Sequence, residues 1–441
     1  MKKLITNWNH YPVVEADEIS FDYDRELTNK LNGFQTIAHG NGRCYGDASL
    51  STSVINTLRY DKILSFDEQQ GIITCQSGIL LSDLLQVIVP RGWFLPVTPG
   101  TKFITVGGAV ASDVHGKNHH VDGSFSRHVV SMSVLTGLDE KVICSPTQNA
   151  DLFWATCGGM GLTGVVLEVS FRLKKIETAF ISQKQIKADN LDEAMVLFAE
   201  HSDHTYSVAW IDCLKTGNHF GRCILILGEH STQGEVKSKR DCLMPKEKSL
   251  FSMPCHLPSF VLNGWSVKAF NALYYAKNYQ KVMNSCVHYD GFFYPLDSIL
   301  NWNRIYGRKG FVQYQFVLPL QNSKEGLKNI LTRINKMGMG SFLAVLKLFG
   351  EQDDLISFPM KGYTLALDFP MRPGLLDFLD ELDEVVADYG GRIYLSKDAR
   401  MKKEIFWDTY PKAGVFKDIL EKYDPSHRYV SGLSKRLKLK G

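Results

Sequence analysis

The stretch Pro99-Gly-Thr-Lys-Phe-Ile-Thr-Val-Gly-Gly-Ala-Val-Ala-Ser-Asp-Val-His-Gly-Lys-Asn-His-His120-Val-Asp-Gly-Ser-Phe125 decides the reading of the whole chain. Gly107 and Gly108 open a run of small residues, Ala109, Ala111 and Ser112, that lets a flat, bulky ligand approach the backbone. Upstream, His39-Gly-Asn-Gly-Arg-Cys-Tyr-Gly-Asp47 follows a strand-like run, Gln35 to Ala38. Such a turn can aim successive N–H groups at one anion, and phosphate is the usual guest. It is neither of the common nucleotide loops. Its third glycine falls one residue late for a dinucleotide fingerprint, with no periodic helix behind it, and no Gly-Lys-Ser/Thr follows. Downstream lies Cys157-Gly-Gly-Met-Gly-Leu-Thr-Gly164. One such turn is weak; three suggest a single long cofactor held by main-chain contacts.

The histidines invite a metal reading. His115 and His119 are four apart, a spacing that can place two imidazoles on one helix face, with Asp113 nearby. Gly116 interrupts that spacing and no His-Glu-x-x-His carboxylate is present, so polar contact with a cofactor or substrate is preferred to a metal.

Composition narrows the class. The 441 residues are 44% apolar and 22% charged, which suits a soluble globular protein of two or three domains. With 50 basic and 47 acidic side chains the charge is nearly balanced, which argues against nucleic acid as a partner. No apolar run approaches the roughly 20 residues of a bilayer span. No apolar stretch follows Lys2 and Lys3, so no signal peptide is read there. Nine scattered cysteines with no Cys-x-x-Cys pair suggest a reducing cytoplasm.

Three zones differ in texture. Residues 30 to 175 are glycine-rich with short strand-like runs. Residues 177 to 391 mix helical and strand signals. Residues 392 to 441 begin strand-like at Arg392-Ile-Tyr-Leu395 and become helical and basic. Within the middle zone, residues 235 to 280 open with charges (Lys237, Lys239, Arg240, Asp241) and turn aromatic and apolar. They read either as a packed connector and helix, or as a lid or a face for lipid.

Together the segments GNGRCYGD, the stretch 99–125, DLFWATCGGMGLTG, QYQFVLP, LKLFG and YLSKDAR resemble the flavoenzymes of the vanillyl-alcohol oxidase superfamily. Within it they resemble the decaprenylphosphoryl-β-D-ribose 2'-oxidase family. The resemblance covers nearly the whole chain and is weakest from about 180 to 285. It implies an α+β fold: a vanillyl-alcohol-oxidase-type FAD-binding domain over 1–176, an antiparallel-sheet substrate cap over 177–391, and a C-terminal return to the first domain over 392–441. It implies noncovalent FAD, because Arg43 stands where covalent members commonly carry histidine. It places FAD contacts at Gly40, Asn41, Gly42, Arg43, Cys44, Tyr45, Gly100, Thr101, Gly107, Gly108, Ser112, Val114, His115, Asn118, Gly123, Val165 and Tyr394. It places the substrate at Tyr45, His115, Lys117, Tyr294, Gln313, Gln315, Lys347, Phe349 and Lys397.

Part of the substrate face is legible without the resemblance. Gln313 and Gln315 alternate with Tyr314 and Phe316, so both amides share one strand face. Lys347 with Phe349, and Thr364 with Ala366, repeat the pattern on two further strand-like runs. Side by side, the three would build a polar sheet face suited to a sugar. Two positions depart from the family pattern: Thr364 stands for asparagine, and Ala366 for the cysteine that covalent inhibitors attack in mycobacterial members.

The implied reaction is oxidation of the 2'-hydroxyl of a polyprenylphosphoryl-β-D-ribose to the keto sugar, which a partner reductase would consume. Hydride needs the flavin, since no side chain accepts it. Lys397 is the first candidate to take the hydroxyl proton, if desolvation or positive charge lowers its pKa; Arg392 and Arg400 are near it in sequence. Anchoring without proton transfer is its alternative role. His115 would orient the flavin or the hydroxyl. A cytoplasmic protein, or one peripheral at the inner membrane face through 235–280, is expected. The alternatives are a flavin oxidase of a soluble polyol or aldonolactone, and a noncatalytic nucleotide-binding protein of the same fold.

Overall fold

A computed structural model describes residues 2–31, 34–236, 241–245, 251–258 and 261–440. Lys237, Lys239 and Arg240, which open the charged part of 235–280, lie outside the described residues, as do 246–250 and 259–260 of the same stretch.

Three sheets organise the described chain. The first has the order Lys3–Thr6, Val13–Ser20, Ser53–Asn56, Ile37–His39, and its last three strands run parallel. The second is antiparallel, in the order Ile63–Asp67, Ile72–Gln76, Val165–Arg172, Val129–Leu135, Lys141–Cys144. Helix Leu81–Ile88 packs beside it because Leu81, Leu84, Leu85 and Ile88 recur at helical spacing and bury one stripe.

The third sheet is antiparallel throughout. Its eight strands run in the order Val282–His288, Phe180–Ala188, Cys223–His230, Tyr206–Ile211, Val345–Phe349, Gly362–Pro370, Phe311–Pro319, Arg392–Ile393. One face is covered by helices Leu191–Glu200, Leu320–Met337 and Leu375–Asp388. In the longest of these Gly326, Leu327, Ile330, Leu331 and Ile334 form the buried stripe. Each such leucine or isoleucine contributes roughly 1.5–3 kcal/mol by leaving water.

The C-terminal segment closes on the first sheet. Thr36 N–H donates to the Arg428 carbonyl and Val430 N–H to that of Thr36, both at 2.8 Å. Arg436 reaches both Asp47 and Asp398 at 2.8 Å, tying the first glycine loop to the segment after Lys397. The strand-like run at 392–395 is shorter than expected. Only Arg392–Ile393 pair, as an edge strand of the third sheet, before one 3₁₀ turn over Leu395–Lys397.

Candidate functional site

The first glycine loop leaves the sheet after His39, and Gly42 takes a left-handed φ of +57°, which favours glycine. The N–H groups of Asn41, Gly42 and Arg43 donate to no acceptor among the described residues. The loop is otherwise pinned. Asn41 Nδ2 donates to the Phe103 carbonyl at 2.8 Å, Arg43 lies over the Trp8 ring at 3.9 Å, and Tyr45 N–H donates to the Ser396 carbonyl at 3.0 Å. Gly46 backs directly on the chain after Lys397: a Cβ there would stand 1.7 Å from the Asp398 carbonyl oxygen. Cys44 Sγ contacts Ser49 Oγ at 3.2 Å, and burial pushes its thiol pKa up.

The second glycine segment is a short helix, Val106–Ala111, capped by Thr105, whose hydroxyl accepts from Gly108 N–H. Gly107 N–H is satisfied by the Ser77 carbonyl, while Ser77 Oγ is buried with no partner among the described residues. Gly100 faces open space, and Thr101 Oγ1 accepts from Phe103 N–H at 3.2 Å. Beyond the helix, Asp113 adopts a positive φ and spends its carboxylate on four donors: Ser124 and Ser357 hydroxyls, Ser126 N–H and Gln352 Nε2. This anchor fixes the loop carrying Val114, His115 and Lys117. Asn118 Nδ2 donates to the Pro96 carbonyl and Asp122, and Gly123 turns the chain back at φ +73°. His115 and His119 form no three-ligand group among the described residues. His119 Nε2 instead meets Gln352 Oε1 at 2.8 Å.

His115 is enclosed by Phe349, Phe358 and Tyr394, with ring centroids 4.8, 5.6 and 5.1 Å away. Tyr394 hydroxyl donates to the Ser112 carbonyl at 2.9 Å. Gln315 Nε2 donates to His115 Nε2 at 3.0 Å and to Thr364 Oγ1 at 3.3 Å, and the Thr364 hydroxyl donates to the Phe316 carbonyl. His115 Nε2 therefore accepts, which leaves the proton on Nδ1, and that buried atom has no partner among the described residues. Burial, with the charge of Lys347 next, holds the His115 pKa well below its usual value.

The strands holding Gln313–Gln315, Thr364–Ala366 and Lys347–Phe349 are adjacent. Gln315 pairs with Ala366 and Ala366 with Val345, while Lys347 pairs with Thr364 and Gln313 with Asp368. Paired residues of an antiparallel ladder share a face, so all these side chains point one way. Asp368, two beyond Ala366, was missed from sequence although the same alternation reaches it. It accepts from Gln313 Nε2 at 2.6 Å and from Tyr306 hydroxyl at 3.3 Å. Burial raises its pKa to about 6.

Three half-buried lysines surround this face. Lys347 is lowered to about 8 by burial, and Lys117 to about 7 by burial and then by Lys347. Lys117 Nζ donates to the Phe292 carbonyl and lies over the Phe292 ring at 4.2 Å. Lys397 Nζ lies 3.8 Å over the Tyr45 ring. Its pKa falls to about 7 by burial; Asp368 and Cys44 pull it back up and Lys347 pushes it down. Arg392 and Arg400, near Lys397 in sequence, do not depress it. Arg400 is neutralised by Asp383 and Asp380 at 2.6 and 2.7 Å, and Arg392 donates to the Ser357 carbonyl and faces Tyr410. Two expected residues stand off the sheet face. Tyr294 meets Thr98 Oγ1 at 2.6 Å, beside the 99–101 loop, and Val165 is a fully buried strand residue paired with Leu135.

Unspent N–H donors in the first loop, and orphaned atoms at Ser77 and His115, fit a long ligand carrying both an anion and a flat polar ring. The comparisons with known proteins agree. Residues 29–145 match the family model described as an FAD binding domain. Over 415 residues the chain is 36% identical to decaprenylphosphoryl-β-D-ribose oxidase of Mycolicibacterium smegmatis, covering 92% of this chain and 90% of that protein. It is 23% identical over 398 residues to L-gulonolactone oxidase of Mus musculus, covering 86% and 83%. Over 156 residues it is 28% identical to a D-lactate dehydrogenase of Anaerostipes hadrus, 34% of this chain and 33% of that one.

Proposed function

The chain belongs to the decaprenylphosphoryl-β-D-ribose oxidase family of FAD-dependent oxidoreductases, and we propose that it oxidises the 2'-hydroxyl of a polyprenylphosphoryl-β-D-ribose to the 2'-keto sugar. The observation that carries this reading is the polar sheet face of Gln313, Gln315, Lys347 and Asp368, which meets His115 and Lys397 in one buried site.

In this reading the main chain at 40–43, with the unspent N–H groups of Asn41, Gly42 and Arg43, holds the FAD pyrophosphate, and the small residues at 107–108 let the ring system approach the backbone. His115, Ser112, Val114, Asn118 and Tyr394 flank the ring system, and Gly100, Thr101, Gly123 and Val165 border the cofactor through their backbone. Bound FAD supplies the hydride acceptor, a task no side chain can take. Lys397 Nζ takes the proton of the 2'-hydroxyl. With a pKa of about 7 a large fraction of it is the free amine near neutral pH, the form a general base needs. His115 stays neutral and offers Nδ1–H as a donor. Gln313 and Gln315 bind sugar hydroxyls, and Lys347 and Lys117 supply charge for the phosphate. Burial of the site keeps water from competing for these groups.

The division into an FAD-binding domain (1–176 and 392–441) and a substrate cap (177–391) is part of the same proposal, as are a reductase consuming the keto sugar and a cytoplasmic or membrane-peripheral location. The division is supported by the antiparallel sheet that gathers seven strands of 177–391, with Arg392–Ile393 joining it at the edge where the chain leaves the cap, and by the pairing of Thr36 with the C-terminal segment. Among the described residues no helix is long and apolar enough to cross a membrane.

The second reading, an aldonolactone or polyol oxidase, draws on the similarity to L-gulonolactone oxidase. Steady-state oxidation of a polyprenylphosphoryl ribose, of L-gulonolactone and of xylitol by one preparation separates them. The proposal expects turnover of the first alone, and turnover confined to the soluble sugars overturns it.

A further inference from the structure

Helix Gly264–Lys277 is turned inside out relative to an ordinary surface helix. Its inward side is Val267, Asn271 and Tyr275, two of them polar: Asn271 Nδ2 donates to Asp212 and Tyr275 hydroxyl to Asp189. Its outward side carries Trp265, Phe270 and Leu273, exposed by 85, 42 and 73%, and Tyr279 just beyond is exposed by 78%. Ala269, Ala272 and Ala276 fill the space between them, so the apolar surface is continuous.

The helix also stands beside the sugar site. It packs on Trp210 through Tyr274, ring centroids 4.7 Å apart, and on Phe342 through Phe270 at 5.5 Å. Trp210 pairs with Val345, which shares its face with Lys347 and Phe349, so the helix covers the same side of the sheet as the site. A crevice opens at the start of the helix, between Leu262, Val267, Met339 and Phe342, and its wall includes Tyr306 and Asp368. Those two are hydrogen-bonded to each other, and Asp368 also to Gln313 of the sugar face. The crevice is narrow and of mixed character, with Asn263 and Arg372 also in its wall, and it lies between the exposed apolar helix and Asp368 at the edge of the polar face; Met339 and Phe342 have to part for a chain to pass.

Resting on the lipid-linked substrate proposed above, we propose that the polyprenyl tail leaves the sugar site through this crevice and is received by the outward face of helix Gly264–Lys277, which lies on the bilayer. Charge favours a lipid surface over a second protein copy. Between 261 and 280 the only charged side chains are Lys268 and Lys277, with no carboxylate, which suits anionic headgroups. Trp265 and Tyr279 have the amphipathic rings that settle at headgroup level.

The test uses the intact flavoprotein and its Trp265→Glu/Leu273→Glu variant, whose changes are on the surface and leave flavin content as the check of folding. Two quantities are measured: co-sedimentation with phosphatidylcholine vesicles with and without phosphatidylglycerol, and kcat/KM on phosphoryl riboses carrying one isoprene unit or a long polyprenyl chain. The variant is expected to lose vesicle partition by roughly 10- to 100-fold, and long-chain kcat/KM by a similar factor, with the short substrate within about twofold. Met339→Phe, which narrows the crevice, is expected to lower long-chain turnover alone. Unchanged partition with unchanged chain-length preference overturns the inference. So do equal losses on both substrates, or a wild-type dimer that the variant abolishes without any vesicle binding. Failure of the wild type on both riboses would instead sink the substrate reading, while vesicle partition still reports on the helix.

Discussion

Gln315 Nε2 and His115 Nε2 are hydrogen-bonded at 3.0 Å, joining the middle strand of the polar sheet face to the loop behind the second glycine segment. The bond sets the histidine tautomer and aims Nδ1–H away from the sheet. Gln315→Leu removes the donor and leaves both His115 nitrogens unpaired. Its expected effect is a loss of roughly 10- to 100-fold in kcat/KM, with flavin content retained, as for removal of one positioned polar partner. Steady-state kinetics beside the flavin absorbance of the purified variant check this; unchanged kcat/KM contradicts it.

Lys397→Met is expected to abolish most turnover, by roughly 100- to 10,000-fold for a lost general base. In the wild type, kcat/KM should rise with pH through about 7, because proton loss from Lys397 creates the base. A pH profile flat from 6 to 9, or full activity in the methionine variant, would show that Lys397 only anchors.

Asp368 is the negative neighbour that pulls the Lys397 pKa upward. Asp368→Asn removes that pull, so the midpoint of the kcat/KM profile should move to lower pH, by about one unit for one lost buried charge. The conservative variant keeps the hydrogen bond to Gln313, which separates an electrostatic role from a structural one. A midpoint that stays put, or moves to higher pH, counts against it.

Desolvated lysines also leave a mark on stability. Lys397, Lys347 and Lys117 have folded pKa values of about 7, 8 and 7, below the usual 10.5. Between those values and 10.5 the unfolded chain binds more protons, so stability rises with pH across that window. Below it the full desolvation cost applies. Lys397→Met should therefore raise stability at pH 7 by roughly 1–3 kcal/mol and flatten the rise above it, read by denaturant melts of the apoprotein.

Gly46→Ala is expected to fail for a geometric reason. The new Cβ would stand 1.7 Å from the Asp398 carbonyl oxygen, forcing apart the first glycine loop and the turn that carries Lys397. A loss of stability above about 3 kcal/mol and poor flavin retention should follow, measured by thermal melting and absorbance.

The glycine segments and the three strand alternations were legible in sequence because both rest on local spacing. Gln313, Gln315, Lys347 and Thr364 could be put on common faces from period 2 alone, and their strands prove adjacent. Asp368 was in reach of the same rule, but nothing local says that a carboxylate at a strand end turns inward. Desolvation, the main cause of the Lys397 shift, could be anticipated, but its charged neighbours could not. Arg400 is close in sequence yet is held by Asp383, and the positive neighbour that matters, Lys347, is fifty positions away. The role of Asp113 as a loop anchor was not legible, because two of its four donors, Gln352 and Ser357, arrive from a segment far along the chain. For helix Gly264–Lys277 the sequence leaves a packed connector and a lipid-facing surface both open, because composition does not say which side of the helix is turned outward.

The central claim is tested most directly by mixing the oxidised flavoprotein with a polyprenylphosphoryl-β-D-ribose under anaerobic conditions and following the flavin absorbance. The account predicts stoichiometric bleaching in the wild type, slowed by orders of magnitude in Lys397→Met, with a 2'-keto sugar as the product. A flavin that stays oxidised with this substrate, whether or not a soluble aldonolactone bleaches it, would contradict it.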